Sequence, residues 1–106
     1  MTRLPAHLEV AGLIRAVEAS GGFAAVLHKG EREAGTILVV LTENGANTRL
    51  FERMPSVETG REWICTLVQD PENKPEFNQV LERRTARDRD LWIIELDIAD
   101  GERFIP

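Results

Sequence analysis

Apolar residues recur along this chain in two rhythms, and each rhythm implies an element. Between Pro5 and Ala19, the residues Val10, Leu13, Ile14 and Val17 fall at i, i+3, i+4 and i+7, one face of an amphipathic helix. Ser20-Gly21-Gly22 stops it, because glycine takes the left-handed conformation that closes a helix at little cost. Phe23–His28 then reads as a strand, followed by a charged turn from Lys29 to Gly35. Thr36–Thr42 is rich in β-branched residues without polar alternation, the pattern of a strand buried on both faces. Asn44-Gly45 is a strong hairpin signal, since both positions tolerate positive φ, and Thr48–Met54 pairs back along the preceding strand. These three strands are expected to form a meander.

Pro55–Gly60 reads as a polar loop, and Glu62–Val68 as a fourth strand in which Trp63, Cys65 and Leu67 alternate with Glu62, Ile64 and Thr66. Asp70–Pro75 breaks the chain and starts a second helix, with Asn73 and Glu76 spaced as a cap and proline in the first turn. That helix runs to about Arg87 on a short apolar stripe of Phe77, Val80 and Leu81. Its polar end is expected in water or against a partner. Leu91–Leu96 forms a fifth strand whose apolar character argues for an interior place, and Phe104-Ile105 returns along the sheet after a turn at Asp100-Gly101. The order α-β-β-β-β-α-β predicts an α+β fold: an antiparallel sheet of about five strands with two helices packed on one face, one domain over residues 1–106.

Composition narrows the function. A chain of 106 residues buries enough surface for one core, and 42% apolar with 29% charged residues excludes wholesale disorder. No apolar run approaches the ~18 residues of a membrane span, and Met1–Pro5 lacks the apolar stretch of a signal peptide. A lone cysteine, Cys65, excludes an internal disulfide and a cysteine zinc site. Together these predict a cytoplasmic protein without membrane attachment. The 13 basic and 18 acidic residues give a net charge of −5, which opposes nucleic-acid binding and leaves no polybasic lipid patch.

Candidate chemistry is sparse. Cys65, inside an apolar strand with no activating neighbour, is expected to be a buried structural thiol. His7 and His28 lie too far apart for zinc-ligand spacing, and His28 before Lys29-Gly30 reads as a solvated turn residue. No glycine pattern matches a phosphate loop. The one local departure is an arginine-rich segment. Arg83 and Arg87 share a helix face, and with Arg84 and Trp92 they form a candidate forked-donor site for a carboxylate or phosphate, which Asp88 and Asp90 would steady. Macrodipole complementarity at a helix C-terminus is a sufficient structural reason for those arginines, and a solvated, self-paired helix end is the preferred reading. Glu95 and Asp97 alternate with Ile94 and Leu96, so both carboxylates point to one side of the last strand. Trp63 and Trp92 both read as core, with Trp92 at the edge of a surface groove.

The stretches Gly22–Gly30, Glu33–Val39, Arg61-Glu62-Trp63, Asp88–Glu95 and Gly101–Phe104 resemble the small bacterial family known as domain of unknown function 1491. The likeness spans about Leu8 to Ile105, and its most specific part is the late Asp-x-Asp-Leu-Trp-x-x-Glu pattern. It implies a single-domain cytosolic protein with no assigned activity, and it lends no catalytic residue. This chain departs from the family in carrying Asp88-Arg89-Asp90 where members tend to show Asp-Pro-Asp, and in keeping only Arg15 of the arginines common in the first helix.

The sequence thus predicts a non-catalytic binding or adaptor domain, with a protein partner or a second copy of itself and with no metal or cofactor. The alternative is a small enzyme or anionic-ligand-binding protein using Arg83, Arg84, Arg87, Asp88, Asp90, Trp92 and Glu95.

Overall fold

Alternation along the central strands decides the architecture. In the computed structural model, which describes residues 4–58 and 60–105, every residue from Ile37 to Thr42 is buried. Met1–Arg3, read above for a signal peptide, and Thr59 of the polar loop lie outside the described residues. A strand with no polar side needs cover on both faces, and it receives two helices. Helix α1 (Ala6–Ala19) packs Ala6, Val10 and Val17 against Ile37, Val39, Leu41, Ile94 and Leu96. Helix α2 (Lys74–Arg87) packs Phe77 and Leu81 against Leu38, Val40, Leu50 and Ile93 on the opposite face. The expectation of both helices on one face is therefore corrected: one face would leave half of a wholly apolar strand in water.

The sheet comprises β1 (Phe23–His28), β2 (Ile37–Glu43), β3 (Ala46–Ser56), β4 (Gly60–Val68) and β5 (Trp92–Asp97), in the spatial order β1-β5-β2-β3-β4. The element order matches the one read from sequence, and β5 does take an interior place. That place separates β1 from β2, so the first three strands are not a meander. β5 runs antiparallel to β1 and parallel to β2, and the sheet is mixed rather than purely antiparallel. The reason is again burial: Ile93, Ile94 and Leu96 are shielded on both faces only with a strand on either side.

Local chemistry sets the joints. The backbone N–H groups of Gly21 and Gly22 donate to the carbonyls of Glu18 and Val17, closing α1. Asn44 and Gly45 adopt φ of 53° and 81°, the turn that joins β2 to β3 with Glu43 opposite Ala46. Asn73 precedes α2, but its side-chain amide donates to Glu76 Oε2 at 3.1 Å rather than capping a backbone N–H by accepting from it. Residues Gly101–Phe104 form a 3-10 helix in place of a returning strand, and Arg49 on β3 forks onto its Glu102.

Candidate functional site

The second helix covers less than the sheet offers. Only Phe77 and Leu81 of α2 are buried, so the α2 side of the sheet is left partly open beside the β1 edge. Two adjoining hollows of about 290 and 320 Å³ fill that opening, near the lower limit for ligand-sized clefts. Leu27, Phe77 and Leu81 form apolar walls; Thr42, Thr48, Gln69, Lys74 and Asn78 supply polar groups; Glu95 and Asp97 lie on the floor.

Strand geometry puts those carboxylates together. Glu95 and Asp97 are two residues apart on β5 and share one face, as the alternation predicts. The backbone N–H of Asn44 donates to Asp97 Oδ1 at 2.8 Å. The Glu95 carboxylate has no hydrogen-bond or ion-pair partner among the described residues, and Lys74 lies beyond ion-pair distance of both carboxylates. Burial, and secondarily the charge on Asp97, push the Glu95 carboxyl above its ordinary range. The threonines are internally satisfied: Thr42 donates to Ala46 O and accepts from Thr48 Oγ1 at 2.8 Å.

β1 borders this cleft and ends the sheet. Pairing puts Phe23 opposite Asp97 and Ala25 opposite Glu95, so Phe23 and Ala25 look over the α2 side. A β-bulge between Val26 and His28 then turns both Leu27 and His28 onto that side, where they line the larger hollow. His28 is not a solvated turn residue. Its Nδ1–H donates to Leu91 O at 2.6 Å, fixing the tautomer and the ring. Phe23, Val26 and Leu27 are 73%, 44% and 48% exposed, and no charged residue interrupts Phe23–Leu27.

The arginine-rich segment is dispersed. Arg84 Nη2–H donates to Glu52 Oε1 at 2.8 Å, which holds the Glu52 carboxyl below its ordinary range. Arg83 and Arg87 stand exposed on α2 and form no ion pair among the described residues. Asp88 accepts the backbone N–H of Asp90 at 3.0 Å in the turn leading to β5. Trp92 lies in the core on the α1 side, its Nε1–H donating to Glu31 O at 2.7 Å. Glu95 belongs to the cleft, so the structure does not gather Arg83, Arg84, Arg87, Trp92 and Glu95 around one point. Cys65 corrects the reading of a buried thiol: β4 is an edge strand, and its sulfur is exposed. Among the described residues no three His, Cys, Asp or Glu side chains are placed to hold a metal ion, and no helix is long and apolar enough to cross a membrane.

Sequence reasoning found Glu95 and Asp97 but not the residues around them. The signal for the neighbouring edge was Phe23–Leu27 itself, five uncharged residues in a chain where charge is frequent. Thr42, Gln69, Lys74 and Asn78 come together only through the topology and carry no local pattern.

These features define an α+β domain with a mixed five-stranded sheet, one acidic half-open cleft and one uncharged sheet edge. The family described as "Protein of unknown function (DUF1491)" matches residues 4–106, and the chain belongs to that family. It is similar to a DUF1491 family protein from Caulobacter crescentus CB15, known from a crystal structure: 32% identity, TM-score 0.83, 96% of this chain and 94% of that one covered. An NMR structure of a DUF1491 family protein from the same organism matches with 30% identity and a TM-score of 0.80, covering 98% and 94%. The solution structure of protein Atu0922 from A. tumefaciens matches with 31% identity and a TM-score of 0.74, covering 93% and 89%. No curated protein matches the chain.

Proposed function

We propose that this protein is a non-catalytic binding domain that takes up an extended polypeptide segment along the free edge of β1. The observation that carries this reading is the edge itself. Alternate backbone N–H and C=O groups of an edge strand lack a partner, and proteins usually guard such edges with charge or proline. β4, at the other end of the sheet, carries Arg61 and Glu62. β1 carries neither charge nor proline, exposes three large apolar side chains, and opens on a cleft. Only the bulge at Leu27 interrupts it. Adding a strand there pairs the open groups and covers Phe23 and Leu27.

A library of random ten-residue peptides, selected on the full chain, tests this. Enriched peptides are expected to slow amide exchange within Phe23–His28 specifically. Binders that protect β4 or the helices instead, or no binders at all, overturn the reading. A second copy of the chain competes for the same edge. Light scattering that shows a dimer together with protection of β1 in that dimer replaces the foreign segment with self-association.

A second reading rests on the exposed guanidiniums of Arg83 and Arg87, four residues apart on α2 and without ion pairs among the described residues: an anion held at the end of the helix. Thermal shift with phosphate and citrate checks it, and an unchanged melting temperature at millimolar anion removes it.

A further inference from the structure

We infer that the segment accepted by β1 carries a lysine or arginine opposite Ala25, its cation passing over Ala25 to reach Glu95. This rests on the edge-docking reading and specifies the partner's chemistry.

Residues paired across a sheet point to the same face, so the residue added opposite Ala25 lines up with Ala25 and, one strand further in, with Glu95. On that face Ala25 is a low point between Phe23 and Leu27. A notch of about 90 Å³, bordered by Phe23, Ala24, Ala25, Glu95 and Asp97, leads from the edge to the carboxylates. An added residue's Cα stands about two strand spacings, roughly 10 Å, from that of Glu95. A lysine or arginine stem and the glutamate's own methylenes together cover this distance, with the apolar stem lying on Ala25 between Phe23 and Leu27.

Charge selects the occupant as well as length. Glu95 is half-buried on an interior strand with no partner among the described residues, and Asp97 adds a second negative charge. Lys74, on the far side of the cleft, pairs with neither. A second copy docking through its own β1 brings no lysine or arginine, since Phe23–His28 contains none. A foreign basic segment complements the notch, and a second β1 does not.

The test uses ten-residue peptides of alternating valine and threonine with one central lysine, arginine, methionine, glutamine or glutamate. Affinity for the full chain is measured together with amide exchange. The lysine and arginine peptides are expected to bind about tenfold tighter than the methionine peptide, with the glutamate peptide weakest. In the Glu95→Gln variant, shown folded by its exchange pattern, that preference falls to about twofold or less. It also shrinks as salt rises. Peptides that protect β1 equally whatever their central residue overturn this inference and leave edge docking standing. A basic preference that persists in Glu95→Gln overturns it too. If no peptide protects β1, both readings fall.

Discussion

Arg84 on α2 and Glu52 on β3, 32 residues apart in sequence, are joined at 2.8 Å, and Thr66 on β4 donates to the other Glu52 oxygen at 2.6 Å. Two strands and a helix are thereby tied at one carboxylate. The Arg84 hydrogen bond is the main cause of the lowered Glu52 pKa, outweighing burial. A depressed carboxyl contributes stability above its unfolded pKa and loses it as pH falls through the folded one. Glu52→Gln is expected to cost about 0.5–1 kcal/mol at pH 7, discounted because the Arg84 side chain is 35% exposed. Denaturant melts should show this difference shrinking toward zero in acid. A difference independent of pH refutes the assignment.

On the α1 side, Arg53 forks onto Glu9 while its guanidinium lies 4.8 Å from the Trp63 ring centroid. Both partners are largely buried, at 16% and 25% exposure. Lysine preserves the charge but neither the fork nor the flat stack. Arg53→Lys should therefore lower stability by roughly 1 kcal/mol and alter the emission of Trp63. A lysine variant as stable as the parent shows that charge alone suffices there.

Two glycines should respond with opposite signs. A Cβ on Gly30 would overlap the backbone carbonyl of Asp90, which also accepts the Glu31 N–H, and no side-chain movement relieves that clash. Gly30→Ala should cost about 2 kcal/mol or more. Gly12 is an exposed helix residue with nothing near its Cβ position, so Gly12→Ala should gain about 0.5–1 kcal/mol. Thermal melts of the two variants decide, and a tolerated alanine at position 30 means the turn after β1 packs differently.

Glu95 should behave as a residue that fold stability does not favour. Its carboxyl is raised, first by burial and then by Asp97, so its contribution is complete below the unfolded pKa and is lost as pH rises through the folded one. Glu95→Gln is expected to stabilise the protein at pH 7 by a few tenths of a kcal/mol, after allowance for its partial exposure, with no gain below about pH 4. A destabilised variant at neutral pH means that the carboxylate holds a structural partner.

How much of this was legible in the sequence depends on the range of the interaction. The 3.6-residue rhythm of Val10, Leu13, Ile14 and Val17, the Asn44-Gly45 turn and the unbroken apolar run to Thr42 are local, and each formed the element expected. Helix sides and strand neighbours are not local. Nothing near Trp92–Asp97 states that β5 enters between β1 and β2, although its apolar faces required two neighbours. The arginine-rich segment was grouped by proximity in sequence, which does not state on which side of the sheet each residue lies: Trp92 faces the α1 core while Arg84 reaches across the other face to Glu52. Glu95 and Asp97 were readable as a same-side pair because a strand's period is two, whereas Ala25 opposite Glu95 is a matter of register.

The late arrival of an interior strand affects how the molecule is made. While the ribosome is still extruding residues before Trp92, β1 and β2 have no common neighbour, and the strand that will join them does not yet exist. The first helix and the β2–β3–β4 sheet can form early, but the apolar seam awaiting β5 stays open until Trp92–Asp97 has been made. Such long-range closure slows folding and leaves adhesive surface exposed meanwhile. Synthesis in the cell should therefore keep the nascent protein dependent on protection from its neighbours until β5 is in place.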